Sequence, residues 1–150
     1  MYKRQHLGCL AHPGEFSING TPVDLGTLDC DKLFVGGISD HITPWRACYR
    51  SVLSYGGDNE FVLSNSGHIQ TLLNSPSKKR VSYFINPELP EDPDNWLEGA
   101  SFTEGSWWGY WRAWLQQRSL KLKAAPKKLG NSHYPAGAPA PGTYVFQKSE

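Results

Sequence analysis

Two short apolar runs stand out along an otherwise mixed chain. One is Leu33-Phe34-Val35, leading into Gly36-Gly37; the other is Phe61-Val62-Leu63, leading into Ser64-Asn65-Ser66-Gly67. Short continuous apolar runs bounded by turn residues read as buried strands. Between them Thr43 is placed to cap a helix and Pro44 to be its first residue. That helix is expected from about Pro44 to Tyr55, with Ala47, Tyr49, Val52 and Leu53 as a mixed apolar stripe and Gly56-Gly57 as its stop. Strand, helix, strand in that order predicts an α/β sheet with the two strands parallel.

Beyond the second strand, a short helix should begin near Gly67 or His68 and run to about Leu73, with Ile69, Leu72 and Leu73 on one side. Arg80 to Ile85 alternates polar and apolar residues and suits a sheet-edge strand. Asn86 to Asn95 holds three prolines and four acids, and reads as a surface loop. Trp96 to Leu120 is an aromatic segment in which Ser106 can cap a helix. Trp107, Trp111, Trp114 and Leu115 recur at helical spacing, so this helix is expected to bury one face in the core. At the other end, residues 1–28 form a connecting segment with turn signals at Pro13-Gly14 and Asn19-Gly20, and Phe16 and Ile18 alternate between them as a short strand. Residues 29–120 carry the folded part. Residues 121–150 form a basic, then Pro/Gly/Ala-rich tail without periodicity, expected to be extended; its Lys121, Lys123, Lys127 and Lys128 read as a solvated cluster.

Composition narrows the classes. At 150 residues the chain suits one compact domain, and 13 % aromatics with only 19 % charged residues describe a folded chain. A formal net charge of +1 offers no field to recruit nucleic acid. No apolar run approaches the roughly 20 residues of a membrane span. Three cysteines, Cys9, Cys30 and Cys48, are an odd number without CxxC spacing, which fits a reducing cytoplasm better than a disulfide or metal framework. Cys48, inside the first helix, reads as a small boundary residue.

The candidate chemistry sits just past the two strands. Asp40 follows the first and His68 the second, and loops at the carboxyl ends of adjacent parallel strands meet in one crevice. Spacing leaves two readings open. The pair is either a carboxylate–imidazole couple, or Asp40 is only a turn or capping residue and His68 an ordinary loop histidine.

The segments Ser39-Asp40-His41-Ile42-Thr43-Pro44-Trp45 and Asn65-Ser66-Gly67-His68-Ile69-Gln70 resemble the C-terminal catalytic region of polyhydroxyalkanoate synthases, and more narrowly the type II enzymes that polymerise medium-chain 3-hydroxyacyl-CoA thioesters. The likeness extends through Ser106-Trp107-Trp108 to Tyr134-Pro135-Ala136-Gly137 and Pro141-Gly142-Thr143-Tyr144-Val145. It implies the C-terminal portion of an α/β-hydrolase fold, a partial parallel sheet with packing helices. It also implies acyl transfer through a Cys-Asp-His triad. In that frame His68 is the general base, a residue type that exchanges protons near neutrality. Asp40 orients it or helps deprotonate the 3-hydroxyl. His41, Ile42, Trp45 and Ile69 line the substrate pocket. No metal or cofactor is implied, because CoA belongs to the substrate thioester. The implied partners are that thioester, the growing polyester, the granule surface, and the missing half of the domain or a synthase dimer, in a granule-associated cytoplasmic setting.

The sequence departs from the family in one respect. Neither a serine nor a cysteine lies in a G-x-S-x-G-type elbow, so the nucleophile half is missing from these 150 residues. The expectation is a C-terminal fragment that is inactive alone, with Met1 standing inside the domain. Two other readings remain: a stretch of a Ser-dependent esterase, or a non-catalytic remnant that binds granules or an intact synthase through its Trp-rich helix.

Overall fold

The computed structural model describes residues 10–148; the first part of the connecting segment, with Cys9, lies outside the described residues. The molecule divides into a body ending at Arg118 and a tail beginning at Ser119.

In the body, β1 (Phe16–Ile18) and β2 (Thr21–Val23) form an antiparallel hairpin. Its Asn19-Gly20 turn has positive φ at both residues, the hand that suits a two-residue hairpin loop. The main elements follow as β3 (Lys32–Gly37), α1 (Trp45–Val52), β4 (Asn59–Ser64), α2 (His68–Leu72), β5 (Ser82–Ile85), α3 (Pro93–Glu98), β6 (Ser101–Glu104) and α4 (Trp108–Arg118). Strands order β3-β4-β5-β6. β3 and β4 are parallel, with Phe34 opposite Phe61 and Gly37 opposite Ser64.

The rest of the sheet corrects the expected parallel arrangement, because β4 pairs with β5, and β5 with β6, antiparallel. The reason is length. α2 has 5 residues, a rise of only about 8 Å, too little to carry the chain back along the sheet. The chain therefore enters β5 at the carboxyl end of β4 and runs the opposite way. Arg80–Ile85 is accordingly no edge: its ordered part, β5, lies between two strands, and the outer strand is β6, which the alternation of Ser101-Phe102-Thr103-Glu104 did not announce.

Side chains alternate across β4, so both faces of the sheet are covered. Phe61 and Leu63 meet Trp45, Tyr49 and Val52 of α1 and Trp96 of α3 on one face. Val62 meets Tyr83 and Trp107 on the other. Trp96 is fully buried among Tyr49, Phe61 and Trp45, with ring centroids 5.0 Å from Phe61 and 5.5 Å from Tyr49. The expected surface loop thus ends in a helix: the Asp92 carboxylate accepts from Asp94 N and Asn95 N, and Pro93 takes the first turn. The aromatic segment, Trp96 to Leu120, holds helix, strand and helix with breaks at Gly99 and Gly105, and its last helix starts where Ser106 was expected to cap it. The expected core face is what fails, because α4 buries no residue and Trp111 stays 42 % exposed, while Trp107 just before it is buried. Ser106 does cap α4, its hydroxyl accepting from Trp108 N. Arg118 fastens the far end of α4, donating to Asp31 at 2.7 Å and Glu60 at 3.4 Å.

In the tail, Asn131 Oδ1 accepts from His133 N and Tyr134 N, and Gly130 bridges to Pro135. A 3-10 turn covers Tyr144–Phe146, so the tail is not wholly extended.

Candidate functional site

The carboxyl ends of β3 and β4 are zipped together beyond the last paired residues. Ile38 N donates to Ser64 O at 2.9 Å, and Ser39 N to Ser66 O at 3.3 Å. Gly37 permits this approach. A Cβ there would stand 2.4 Å from Thr71 Oγ1 and 2.6 Å from Ser66 O. Its φ is not in the left-handed region, so proximity rather than backbone freedom explains the glycine.

Asp40 N then donates to Gly37 O, and the chain turns around the Asp40 side chain. Asp40 Oδ1 accepts from Ile42 N and Thr43 N, both at 2.9 Å. Asp40 Oδ2 accepts from Thr43 Oγ1 at 2.7 Å and lies 2.8 Å from His68 Nδ1. An ionised carboxylate only accepts, so Nδ1 carries the hydrogen and Nε2 is left as the ring's basic nitrogen. His68 opens α2, with Gly67 before it. Its side chain is 44 % exposed, whereas that of Asp40 is 6 % exposed. The Thr43 N–H foremost, then the Thr43 hydroxyl, His68 and the Ile42 N–H, hold the Asp40 carboxyl well below the usual carboxylate range against the cost of its burial.

Asp40 is a turn residue, but not only that, and His68 opens a helix rather than lying in a loop. Asp40 organises its own turn and contacts His68. Thr43 is corrected: its hydroxyl is committed to Asp40, Pro44 takes the cap position, and α1 starts at Trp45 and ends at Val52. Among the other expected site residues, Trp45, the first residue of α1, is buried in the core against Trp96. Ile42 and Ile69 stand largely exposed beside the pair, and His41 is exposed on the same turn. Ile69, Leu72 and Leu73 share that exposure, and Thr71 is the buried residue of α2. Cys48 Sγ donates to Thr43 O at 3.7 Å; burial and the Asp40 charge push its thiol up, the reverse of an activated nucleophile. Sequence reasoning missed the Thr43 contact, although an Asp followed three residues later by Thr is a recognisable side-chain turn pattern.

Fold and site together define a mixed α/β protein with a carboxylate–imidazole pair at the carboxyl end of two parallel strands. No family model matches the chain. Individual relatives do. It is 49 % identical over 142 residues to poly(3-hydroxyalkanoate) polymerase 2 of Ectopseudomonas oleovorans, covering 95 % of this chain and 25 % of that protein. It is 43 % identical over 137 residues to the poly(3-hydroxyalkanoate) polymerase subunit PhaC of Cupriavidus necator, covering 91 % of this chain and 23 % of that one. With the corresponding subunit of Rhizobium etli it shares 34 % over 135 residues, covering 90 % and 21 %. The homologues of this chain are thus poly(3-hydroxyalkanoate) polymerases, as the motifs indicated, and it spans about a quarter of their length. Among the described residues no helix is long and apolar enough to cross a membrane, and no group of His, Cys, Asp and Glu is placed to hold a metal.

Proposed function

We propose that this chain supplies the acid–base half of an α/β-hydrolase-type acyl-transfer site that builds polyester from 3-hydroxyacyl-CoA, with the cysteine nucleophile contributed from outside these 150 residues. The observation that carries the reading is the 2.8 Å contact between His68 Nδ1 and Asp40 Oδ2 on neighbouring strand-end loops. The relatives' name supplies the polymer class.

Nε2 takes the thiol proton as the sulfur attacks the thioester carbonyl. The bond to CoA sulfur breaks, and the leaving CoA thiolate takes that proton back. In the second half, Nε2 accepts the proton of an attacking 3-hydroxyl; the new ester forms, the enzyme thiolate departs, and the proton passes to it. Asp40 keeps the ring in the tautomer that exposes Nε2 and stabilises the imidazolium. Two hydrogen-bond donors already meet each of its oxygens, and a carboxylate offers about four acceptor sites. Of the two roles expected for Asp40, this supports orientation of His68 over direct deprotonation of substrate.

The test is a chimera in which this chain replaces the matching quarter of the oleovorans polymerase. CoA release from 3-hydroxydecanoyl-CoA is expected from the chimera and not from the 150-residue chain alone. Release by the isolated chain, or a correctly folded but inert chimera, contradicts the proposal. A second reading, attachment to polyester granules in the cytoplasm, is favoured by the exposed Trp111 on α4. Granule co-sedimentation that persists in His68→Ala but falls in Trp111→Ala supports it.

A further inference from the structure

Asp40 Oδ2 has two neighbours, and only one of them is His68. Thr43 Oγ1 lies 2.7 Å from the same oxygen and 3.5 Å from His68 Nδ1, closing a three-membered cluster. The hydroxyl has a single proton. His68 Nδ1 carries its own hydrogen toward Oδ2, so the Thr43 proton is directed at Oδ2 as well. Thr43 is itself held at both ends: its N–H donates to Asp40 Oδ1 at 2.9 Å, and its carbonyl accepts from Cys48 Sγ in α1. The hydroxyl is therefore delivered by a turn whose geometry Asp40 and α1 set, and not by a freely rotating surface side chain.

We propose that Thr43 is a positioning residue for the acid–base pair: by donating to the oxygen that holds His68, it fills the last acceptor site of Asp40 and weakens the pull of that oxygen on the Nδ1 hydrogen. This rests on the reading of Asp40 and His68 as a proton-handling pair. Its chemical sense follows from sharing. A carboxylate oxygen that accepts two hydrogen bonds has less charge for each than one that accepts a single bond. Thr43 thus keeps the imidazole hydrogen on nitrogen and denies Oδ2 to a substrate hydroxyl or to water. Among the described residues, the titratable groups tied to the cluster are Asp40, His68 and, through its charge interaction with Asp40, Cys48; exposed His41 adjoins Asp40 in the chain.

The experiment is proton NMR of the purified 150-residue chain with 15N-labelled histidine, following the His68 Nδ1–H line. Four variants accompany it: Thr43→Val, Thr43→Ser, Thr43→Ala and Asp40→Asn. Loss of the hydroxyl in Thr43→Val should leave His68 as the sole donor to Oδ2, tighten that bond and move the line downfield. Thr43→Ser should restore the original position, and Thr43→Ala replaces the valine variant if its backbone amide spectrum is not that of a folded chain. A line unmoved in the valine or alanine variant overturns the proposal. So does an upfield move toward free imidazole, which marks Thr43 as loop scaffold only. The underlying pair fails separately: Asp40→Asn then leaves the His68 line where it was.

Discussion

Asp40 meets four donors with two oxygens, and three of the four come from its own turn. Its folded-state carboxyl is held below the ordinary carboxylate value of about 3.9. The stability it contributes is complete above that value and drains away as pH falls below it. Asp40→Asn should therefore flatten the acid side of the stability profile, read as urea midpoints by Trp fluorescence between about pH 2 and pH 5. In the proposed chimera with the oleovorans polymerase, the same change sets an amide N–H against the Nδ1–H of His68. A loss of about 10³- to 10⁴-fold in turnover is expected, the scale seen when the carboxylate of a catalytic triad becomes an amide. Tyr49 gives the alkaline counterpart. Burial, then the Asp92 charge, pushes its phenol up to about 12, and its hydroxyl donates to Pro90 O at 2.6 Å. A raised acid favours the folded state below the free tyrosine value of about 10, and that share is lost as pH climbs through 10 toward 12. Tyr49→Phe should remove this alkaline loss and cost about 1 kcal/mol at neutral pH for the missing hydrogen bond.

Much of the site was legible at this scale because both residues follow short apolar runs, and a βα unit delivers such positions to one place. Thr43 was not. Its hydroxyl serves a helix cap and a side-chain turn equally well by sequence, and only the position of Asp40 Oδ2 decides between them.

Among the elements, the β3–β4 pair does most of the positioning. Gly37 lies where β3 passes closest to the loop that carries His68. Gly37→Ala forces a Cβ into Thr71 Oγ1 and the Ser66 carbonyl, and backbone cannot swing aside as a side-chain tip can. Overpacking of this kind costs about 1–3 kcal/mol, measurable as a lowered urea midpoint with an unchanged slope. Trp96 anchors the opposite side of α1. Trp96→Ala should cost about 3–5 kcal/mol, a large share of an ordinary reserve of about 5–15 kcal/mol, and lower the urea midpoint to match. The parallel pair was visible in the sequence because each strand holds a three-residue apolar run, Leu33 to Val35 and Phe61 to Leu63. β5 was legible in the alternation of Arg80–Ile85, but not its place inside the sheet, and the four residues of β6 are too few for periodicity to speak.

Taken whole, the four-stranded sheet of the body has two margins, β3 and β6. Among the described residues β3 pairs only with β4, leaving its other side unmatched along Lys32, Leu33, Phe34 and Val35. An open edge of that length invites pairing with another chain. Sedimentation velocity should show self-association that grows with concentration, and a strictly monomeric profile across the accessible range would count against an edge built to receive a further strand. The relatives are about four times as long as the stretch matched here.

The proposed role of His68 is to handle the proton of a nucleophile contributed from outside these 150 residues. Single-turnover acylation of the chimera by radiolabelled 3-hydroxydecanoyl-CoA, with and without His68→Ala, measures that step alone. The account predicts rapid covalent labelling of the intact chimera and labelling slower by at least about 10²-fold in the variant. Labelling at the same rate in both would contradict it.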